Sequence, residues 1–440
     1  VRRSKITDAL EEEGLDVEIG HRADAVEGRD VVVRSTAIPE DNVELEAARE
    51  RGLPIVHRAE VLSELVDGDR VVGVTGTHGK GTVASMLAWI LEVAGREPSF
   101  VVGGLMENFG TNARDGDGRW TVLEIDESDG THHEFEPDFA VCNFLEVDHL
   151  NYYEGLEDII GSMAAFFERN PRLKEAFINL DCQGNRRMVE QLAMRPTGYG
   201  TCHRTEFRGE LNGSDPYPIE FEAYNRDEKL GAFELNLPGR YNVVNALAAI
   251  AVAHRIGVET ETIREALASY EGMENRFSIE RGGGVTVVKD YVSHPTGIRK
   301  VLESTVDMVD GRVFTVFKPY RYTLTDYLQD EYGEAFEVAD CAIITEMFDA
   351  GEEPIPGVDA ELVVEKIRET GTEAVFVPQE EDIPAELRER VEPGDATVFF
   401  GAEDFFEMAD GFAADLAREA ERTEPAREAP RVDGPLADGE

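Results

Sequence analysis

Short apolar runs separated by segments of helical period dominate the chain. This is the pattern of parallel α/β sheets whose strands are buried on both faces. A helix over residues 5–13 opens the chain with no strand before it. Residues 30–34 (DVVVR) read as a strand, followed by a turn at 35–39, a helix over 42–51 and a second strand at 53–56. A second segment begins near Asp69. There, residues 70–75 (RVVGVT) form an apolar strand, a glycine-rich loop follows, and residues 82–93 read as a helix rich in Ala, Met, Leu and Ile. β/α units continue to about Ser269. Short alternating runs at 206–237, with turns at 213–214 and 225–226, mark an antiparallel insertion. A third segment begins near Arg276. Its strands at 285–288, 313–317, 341–345, 374–377 and 397–400 alternate with helices, which predicts a second doubly wound sheet.

At roughly 100–200 residues per domain, 440 residues make two to four domains. No apolar run reaches the ~18–20 residues that span a bilayer, and no signal peptide opens the chain, so a soluble cytoplasmic protein without a membrane partner is expected. Ninety-one acidic residues against 43 basic ones leave a net charge of −48. Such a surface repels nucleic acid, which is excluded as a partner. The acids are spread along the chain, and their self-repulsion is tolerable where salt screens it, so a halophilic host is expected. Cys142, Cys182, Cys202 and Cys341 form no CxxC pair and read as reduced thiols. The last twenty residues, 421–440, hold Pro, Glu, Asp and Gly with few apolar groups, and disorder is expected there.

The chemistry concentrates in one loop. Gly76, Thr77, His78, Gly79, Lys80, Gly81 and Thr82 lie between an apolar strand and a helix. Glycines let backbone N–H groups approach phosphate oxygens, and a helix N-terminus adds positive partial charge. Lys80 can neutralise the terminal phosphates of ATP, and the Thr82 hydroxyl can bind Mg²⁺. Glu124 and His149, each placed after an apolar run, can add a carboxylate and an imidazole to that cation. Asp126, Glu127 and Asp129 read as support or surface. His132 and His133 are adjacent and are expected to point apart.

The GTHGKGT loop is shorter than the usual Walker sequence. It resembles that of the Mur ligase and folylpolyglutamate synthetase superfamily, and further motifs follow in that superfamily's order: EIDESDG at 124–130, NFLEVDHL at 143–150, LPGRYNVVN at 237–245, GMENRF at 272–277, DYVSHPT at 290–296 and VFKPYRYT at 316–323. The set resembles the Mur ligase family, in its muramate–alanine branch, over nearly the whole chain. The resemblance implies an α/β three-domain architecture. It comprises a truncated N-terminal Rossmann-like domain (1–67), a central P-loop ATPase-type domain (68–273) and a C-terminal Rossmann-like ligase domain (274–420), with a disordered acidic tail. The branch carries a glycine-rich strand–turn–helix before its first helix. This chain opens on the helix, so its first domain is expected to be incomplete.

The resemblance further implies an ATP- and Mg²⁺-dependent carboxylate–amine ligase, monomeric or homodimeric, whose substrates are a small-molecule acid and an amine such as an amino acid. ATP would bind between the central and C-terminal domains. Lys80, His149 and Arg276 would be catalytic, and Thr82, Glu124 and His149 would hold the metal. Asn242, Asn245, Arg276 and Asp290 would contact ATP together with the loop, and Tyr291, His294 and Arg321 would contact substrate. Other branches use a carbamylated lysine after the DH motif. Here Ala164 occupies that region and no lysine occurs between His149 and Lys174, so the device is expected to be absent. The chain departs from the branch at Tyr241, Ser293, Gly297, Tyr320 and Leu324, all outside the phosphate loop. Those departures leave room for a non-murein substrate, such as a cofactor or another cell-envelope precursor. Folylpolyglutamate synthesis and a catalytically silent ATP-binding regulator are the remaining alternatives.

Overall fold

The computed structural model describes residues 3–202, 204–211 and 217–423. By packing, the chain divides into two compact units, Val1–Arg276 and Phe277–Glu440. The short first segment and the central sheet therefore fall within one unit.

In the first unit, strands Val32–Arg34 and Ile55–His57 pair in parallel as a two-stranded sheet. The helix Val43–Arg51 lies between them. It starts where expected because the Asn42 side chain accepts the Glu44 N–H as a cap, and it ends at Gly52 in the left-handed region. The main sheet has ten strands in the order Glu228–Leu235, Ile219–Asn225, Phe207–Leu211, Thr197–Gly200, Glu175–Asn179, Phe139–Cys142, Arg70–Thr75, Trp120–Glu124, Ser99–Met106 and Thr111–Arg114. The expected insertion is antiparallel, but it is not separate. Phe207–Leu211 pairs in parallel with Thr197–Gly200, and the next two strands extend the same sheet as antiparallel edges. The turn expected at 213–214 lies outside the described residues, whereas the 225–226 turn joins two paired strands.

Arg70–Thr75 sits between Phe139–Cys142 on one side and Trp120–Glu124 on the other, parallel to both. Chain crossovers leave this strand in opposite directions, so loops from three strands converge at its C-terminal end, where open α/β sheets bind ligands. The helix Lys80–Val93 covers one face with eight buried side chains, and with Tyr241–Ile256 it forms most of the larger core. On the other face, Leu156–Arg169 buries Ile159, Ile160, Met163, Ala164, Phe166 and Phe167.

The second unit holds a six-stranded sheet in the order Ser278–Gly282, Val285–Asp290, Ala396–Phe400, Val313–Phe317, Cys341–Ile344 and Glu373–Phe376. The five expected strands are all present. The sixth, Ser278–Gly282, is an antiparallel edge paired to Val285–Asp290. The final helix, Glu403–Thr423, carries order three residues into the stretch expected to be disordered. The rest of that stretch lies outside the described residues. No helix of the described residues is long and apolar enough to cross a membrane.

Candidate active site

The loop after Arg70–Thr75 is shaped by its neighbours. Gly76 adopts φ 113°, and a Cβ there would lie 2.5 Å from the Phe144 carbonyl oxygen. Gly79 adopts φ 79°, and a Cβ there would collide with the amides of Asn143 and Asn245. Only glycine fits both the backbone angle and the space. The segment after Phe139–Cys142 then braces the loop. Thr77 N donates to Phe144 O at 2.7 Å, Glu146 N to Thr77 Oγ1 at 2.8 Å, and Asn143 Nδ2 to His78 O at 2.9 Å. His78 Nε2 lies 3.0 Å from Glu146 Oε2. The helix begins at Lys80, two residues earlier than expected, and no side chain caps it. Its first N–H groups are thus left for an anion.

Lys80 is mostly buried, with 13% of its side chain exposed, and points at Glu127, of which 1% is exposed. Its Nζ lies 2.9 Å from Glu127 Oε2 and 3.1 Å from Oε1. His149 Nε2 lies 3.3 Å from the same Oε1. The sequence left Glu127 as support or surface, and the structure makes it the buried centre of the site. Leu123 and Ile125 are fully buried, and Glu127, two residues further on, is buried in the same alternation.

Burial would lower the Lys80 ammonium's pKa, but the carboxylates of Glu127, Asp126 and Glu124 outweigh it and hold the value above the ordinary lysine range. Burial would likewise raise Glu127, but Lys80 and His149 hold it well below the usual carboxylate range. His149 is raised despite its burial, by Glu127 and Asp148. Its backbone sits at φ 53°, where the Asp148 carboxylate accepts its N–H at 2.7 Å. Glu124 ends its strand and receives the Gly103 N–H on Oε2 at 2.6 Å. A Cβ on Gly81 would lie 3.1 Å from that same oxygen, so the Glu124 carboxylate faces the helix start. Lys80, Glu124 and His149 therefore meet at one sheet edge. Ligand atoms of Asp126, Glu127 and His149 lie within 4.8 Å of one another. Oxygen donors with one imidazole are a donor set that suits Mg²⁺.

Asn242 and Asn245 are buried and hydrogen-bonded within the protein. Asn242 Nδ2 donates to Pro238 O at 2.7 Å, Asn245 Nδ2 to Asn242 Oδ1 at 2.8 Å, and Asn143 Nδ2 to Asn245 Oδ1 at 2.7 Å. This amide chain ends on the phosphate loop through Asn143. Arg276 is exposed at the last position of the first unit, between Asn275 and Phe277, which both have positive φ. In the second unit, Asp290 is buried and accepts the N–H groups of Phe277 and Val292, each at 2.9 Å. His294 is buried and caps the helix Pro295–Met308, with Nδ1 accepting the Thr296 N–H at 3.2 Å. Tyr291 is exposed, its ring 5.4 Å from that of Phe406. Arg321, at φ 67°, is held by Glu352 Oε1 at 3.1 Å and lies over the Tyr320 ring at 5.1 Å.

His132 and His133 do not point apart. They lie on a tight 3₁₀ turn, Thr131–Glu134, with ring centroids 4.1 Å apart, and both Nε2 atoms reach Ser162 Oγ, at 3.2 and 3.1 Å. The cysteines are free thiols, and all but Cys202 are buried.

A strand–loop–helix phosphate site with a buried lysine, an adjoining acid–imidazole cluster and a second doubly wound unit define a nucleotide-dependent α/β enzyme. The chain belongs to the Mur ligase family. Residues 1–70 match the Mur ligase family catalytic domain, 74–253 the Mur ligase middle domain, and 275–403 the Mur ligase glutamate ligase domain. It is 38% identical to the UDP-N-acetylmuramate–L-alanine ligase of Anaeromyxobacter sp. (strain Fw109-5), over 92% of this chain and 88% of that protein. It is 37% identical to the enzyme of that name from Salinibacter ruber (strain DSM 13855 / M31), over 94% and 88%. The fold is that of UDP-N-acetylmuramate-alanine ligase from Thermotoga maritima, with a TM-score of 0.80 at 23% identity, covering 95% of this chain and 92% of that one. The protein is thus an ATP-dependent ligase that forms amide bonds.

Proposed function

We propose that the enzyme joins the carboxylate of a UDP-N-acetylmuramate-type acid to the amine of an amino acid, with L-alanine the first candidate. The observation that carries this reading is the Lys80–Glu127–His149 cluster at the end of the phosphate-loop strand, in a chain 38% identical to ligases named for that substrate. A carboxylate oxygen attacks the γ-phosphorus, the bond to the β-phosphate oxygen breaks, and ADP leaves. The amine nitrogen then attacks the acyl carbon of the acyl phosphate. Phosphate departs with the acyl C–O bond pair, and the nitrogen gives up a proton. Both reactants of the first step are anions, so positioned positive charge is the main requirement. Lys80 and the free N–H groups at the helix start supply it, with the His149 imidazole beside them. Arg276 is proposed to reach the phosphates, and Asp290 the nucleotide. Mg²⁺, when bound through Thr82, Glu124 and His149, would add further neutralisation.

Arg321 is proposed as a receptor for a substrate carboxylate, because a planar guanidinium binds one bidentately. Tyr291 and His294 are proposed on the same side of the reaction. The domain boundaries at 67/68 and 273/274 and the salt-rich, cytoplasmic setting belong to the same reading. The departures at Ser293, Gly297, Tyr320 and Leu324 favour a second reading, in which the same chemistry serves a different amine or acid. Phosphate release at high KCl tests both. UDP-N-acetylmuramate with L-alanine should give amide and stoichiometric phosphate. If that pair is inert while another acid–amine pair turns over, the second reading holds. If no pair from a broad panel turns over, a regulatory role replaces both.

A further inference from the structure

Glu127 has no part in the reaction as described, yet it is the least exposed charged side chain of the site. Both of its carboxylate oxygens face Lys80, and one also faces His149. Its backbone cannot withdraw, because its carbonyl oxygen accepts the Tyr153 hydroxyl at 2.6 Å and the Gly130 N–H at 3.2 Å. Tyr153 also donates its own N–H to the His149 carbonyl at 3.0 Å, which fastens the acid's loop to the histidine's loop. The carboxylate can leave Lys80 only by rotating about its own side-chain bonds.

Lys80, the cation that Glu127 holds, is the one a terminal phosphate needs. Glu124, Asp126 and Asp129 lie in the same loop, so a polyphosphate entering here brings its charge into an already anionic neighbourhood. Two anions sharing one ammonium at about 3 Å repel strongly at the low effective dielectric of a buried site. We propose that Glu127 is an internal anion that occupies the phosphate's place on Lys80 and His149, so that ATP binds by displacing it and the products leave as it returns. It is a positioning residue that keeps a buried lysine charged and aimed while no nucleotide is bound. The inference rests on reading the loop as the nucleotide site and on nothing about the acid or the amine.

The test is equilibrium binding of ATP, without and with Mg²⁺, to wild-type protein and to Glu127→Gln and Glu127→Asp, together with steady-state kinetics. Removing the charge while keeping the shape should tighten Mg²⁺-free ATP binding by about tenfold. KM for ATP and kcat should fall together, because ATP no longer competes with the acid and product release loses its driving group. Glu127→Asp should stay within about threefold of wild type. Weaker or unchanged ATP binding by Glu127→Gln would make Glu127 a fixed strut and overturn the proposal. A crystal structure of wild-type protein with a non-hydrolysable ATP analogue decides the matter without any variant. The Glu127 carboxylate should then lie beyond ion-pair distance of Lys80, and finding it still paired would refute the exchange. Failure of wild-type protein to bind ATP at all would instead remove the nucleotide-site reading on which the proposal stands.

Discussion

The Lys80 loop and the Arg321 loop both follow the C-terminal end of a parallel strand, yet they are built to opposite standards. Around Lys80, Glu127 is 1% exposed, an amide chain of Asn242, Asn245 and Asn143 braces the backbone, and two glycines are required by contact. Around Arg321 the surface is open. Phe348 is 49% exposed and stacks on Tyr320 at 5.8 Å. Arg321 itself leans on the single acid Glu352, which also receives the Thr323 N–H at 3.0 Å and its hydroxyl at 2.8 Å. A phosphate loop has one geometry to meet, so its neighbours over-determine it. A surface proposed to select the amine can change by single substitutions, and the family departure at Tyr320 falls on it. The buried region should therefore be intolerant in both stability and catalysis, and the open one should shift specificity at little structural cost.

Lys80→Ala makes the hardest demand on that contrast. It removes the phosphate's cation and leaves Glu127 buried beside His149 alone. Breaking one side of a buried ion pair costs about 3–5 kcal/mol. Urea unfolding should show that loss, and phosphate release should fall at least ~1000-fold, the scale of a lost transition-state charge contact. Full activity, or a stability change under 1 kcal/mol, would mean that the pair is not the centre of the site.

The same buried region should be sensitive to pH through His132. Burial first, and His133 second, push its imidazole down to about 4. A histidine held neutral in the fold contributes stability above its unfolded pKa of about 6.5 and loses it as pH falls towards 4. The span amounts to roughly 3 kcal/mol at most. His132→Gln should be less stable than wild type at pH 7, and the gap should shrink as pH falls from 6.5 to 4. Unfolding curves that stay parallel across that range would show that the imidazole is not held neutral.

In the open region, Glu352→Ala should raise KM for the amine about tenfold, as a freed guanidinium loses its aim, the scale of one charge-assisted hydrogen bond. ATP binding should not move. A parallel loss of ATP affinity would erase the division between the two regions.

The contrast also explains what could be read in the sequence. The strand Arg70–Thr75 was legible to the residue because an unbroken apolar run met a glycine loop. The edge strand Ser278–Gly282 was not, because one face of an edge is polar and its run of Ser, Glu and Arg carries no hydrophobic signal. Glu127 was left between support and surface because six of the seven residues in EIDESDG are polar or glycine, and composition cannot say which acid turns inward. The signal was there in the spacing: Leu123, Ile125 and Glu127 alternate, which puts the third of them on the buried face if the chain stays extended. His132 and His133 were misjudged because adjacent residues diverge on a strand, whereas the tight turn they occupy brings both rings to Ser162.

Phe348→Ala should have the smallest effect, and it separates exposure from mere aromatic contact. The ring stacks on Tyr320 at an interplanar angle of 15°, and Lys318 Nζ lies 5.9 Å from its centroid, so by contacts alone it resembles a core residue. Half of it nonetheless faces solvent in the folded protein, so little apolar area returns to water when it is removed, and no closed cavity forms. A buried phenylalanine such as Phe100, at 0% exposure, should cost about 3–5 kcal/mol on truncation. Phe348→Ala should cost less than about 1 kcal/mol, since a stacked pair adds only ~0.5–1.5 kcal/mol beyond its buried area and part of that is screened here. Side-by-side urea titrations of the two variants measure the difference directly. Equal losses would show that the Tyr320–Phe348 shelf is a structural element of the second unit. A small loss with a changed order of preference among amino acids would mark the shelf as the surface that reads the amine.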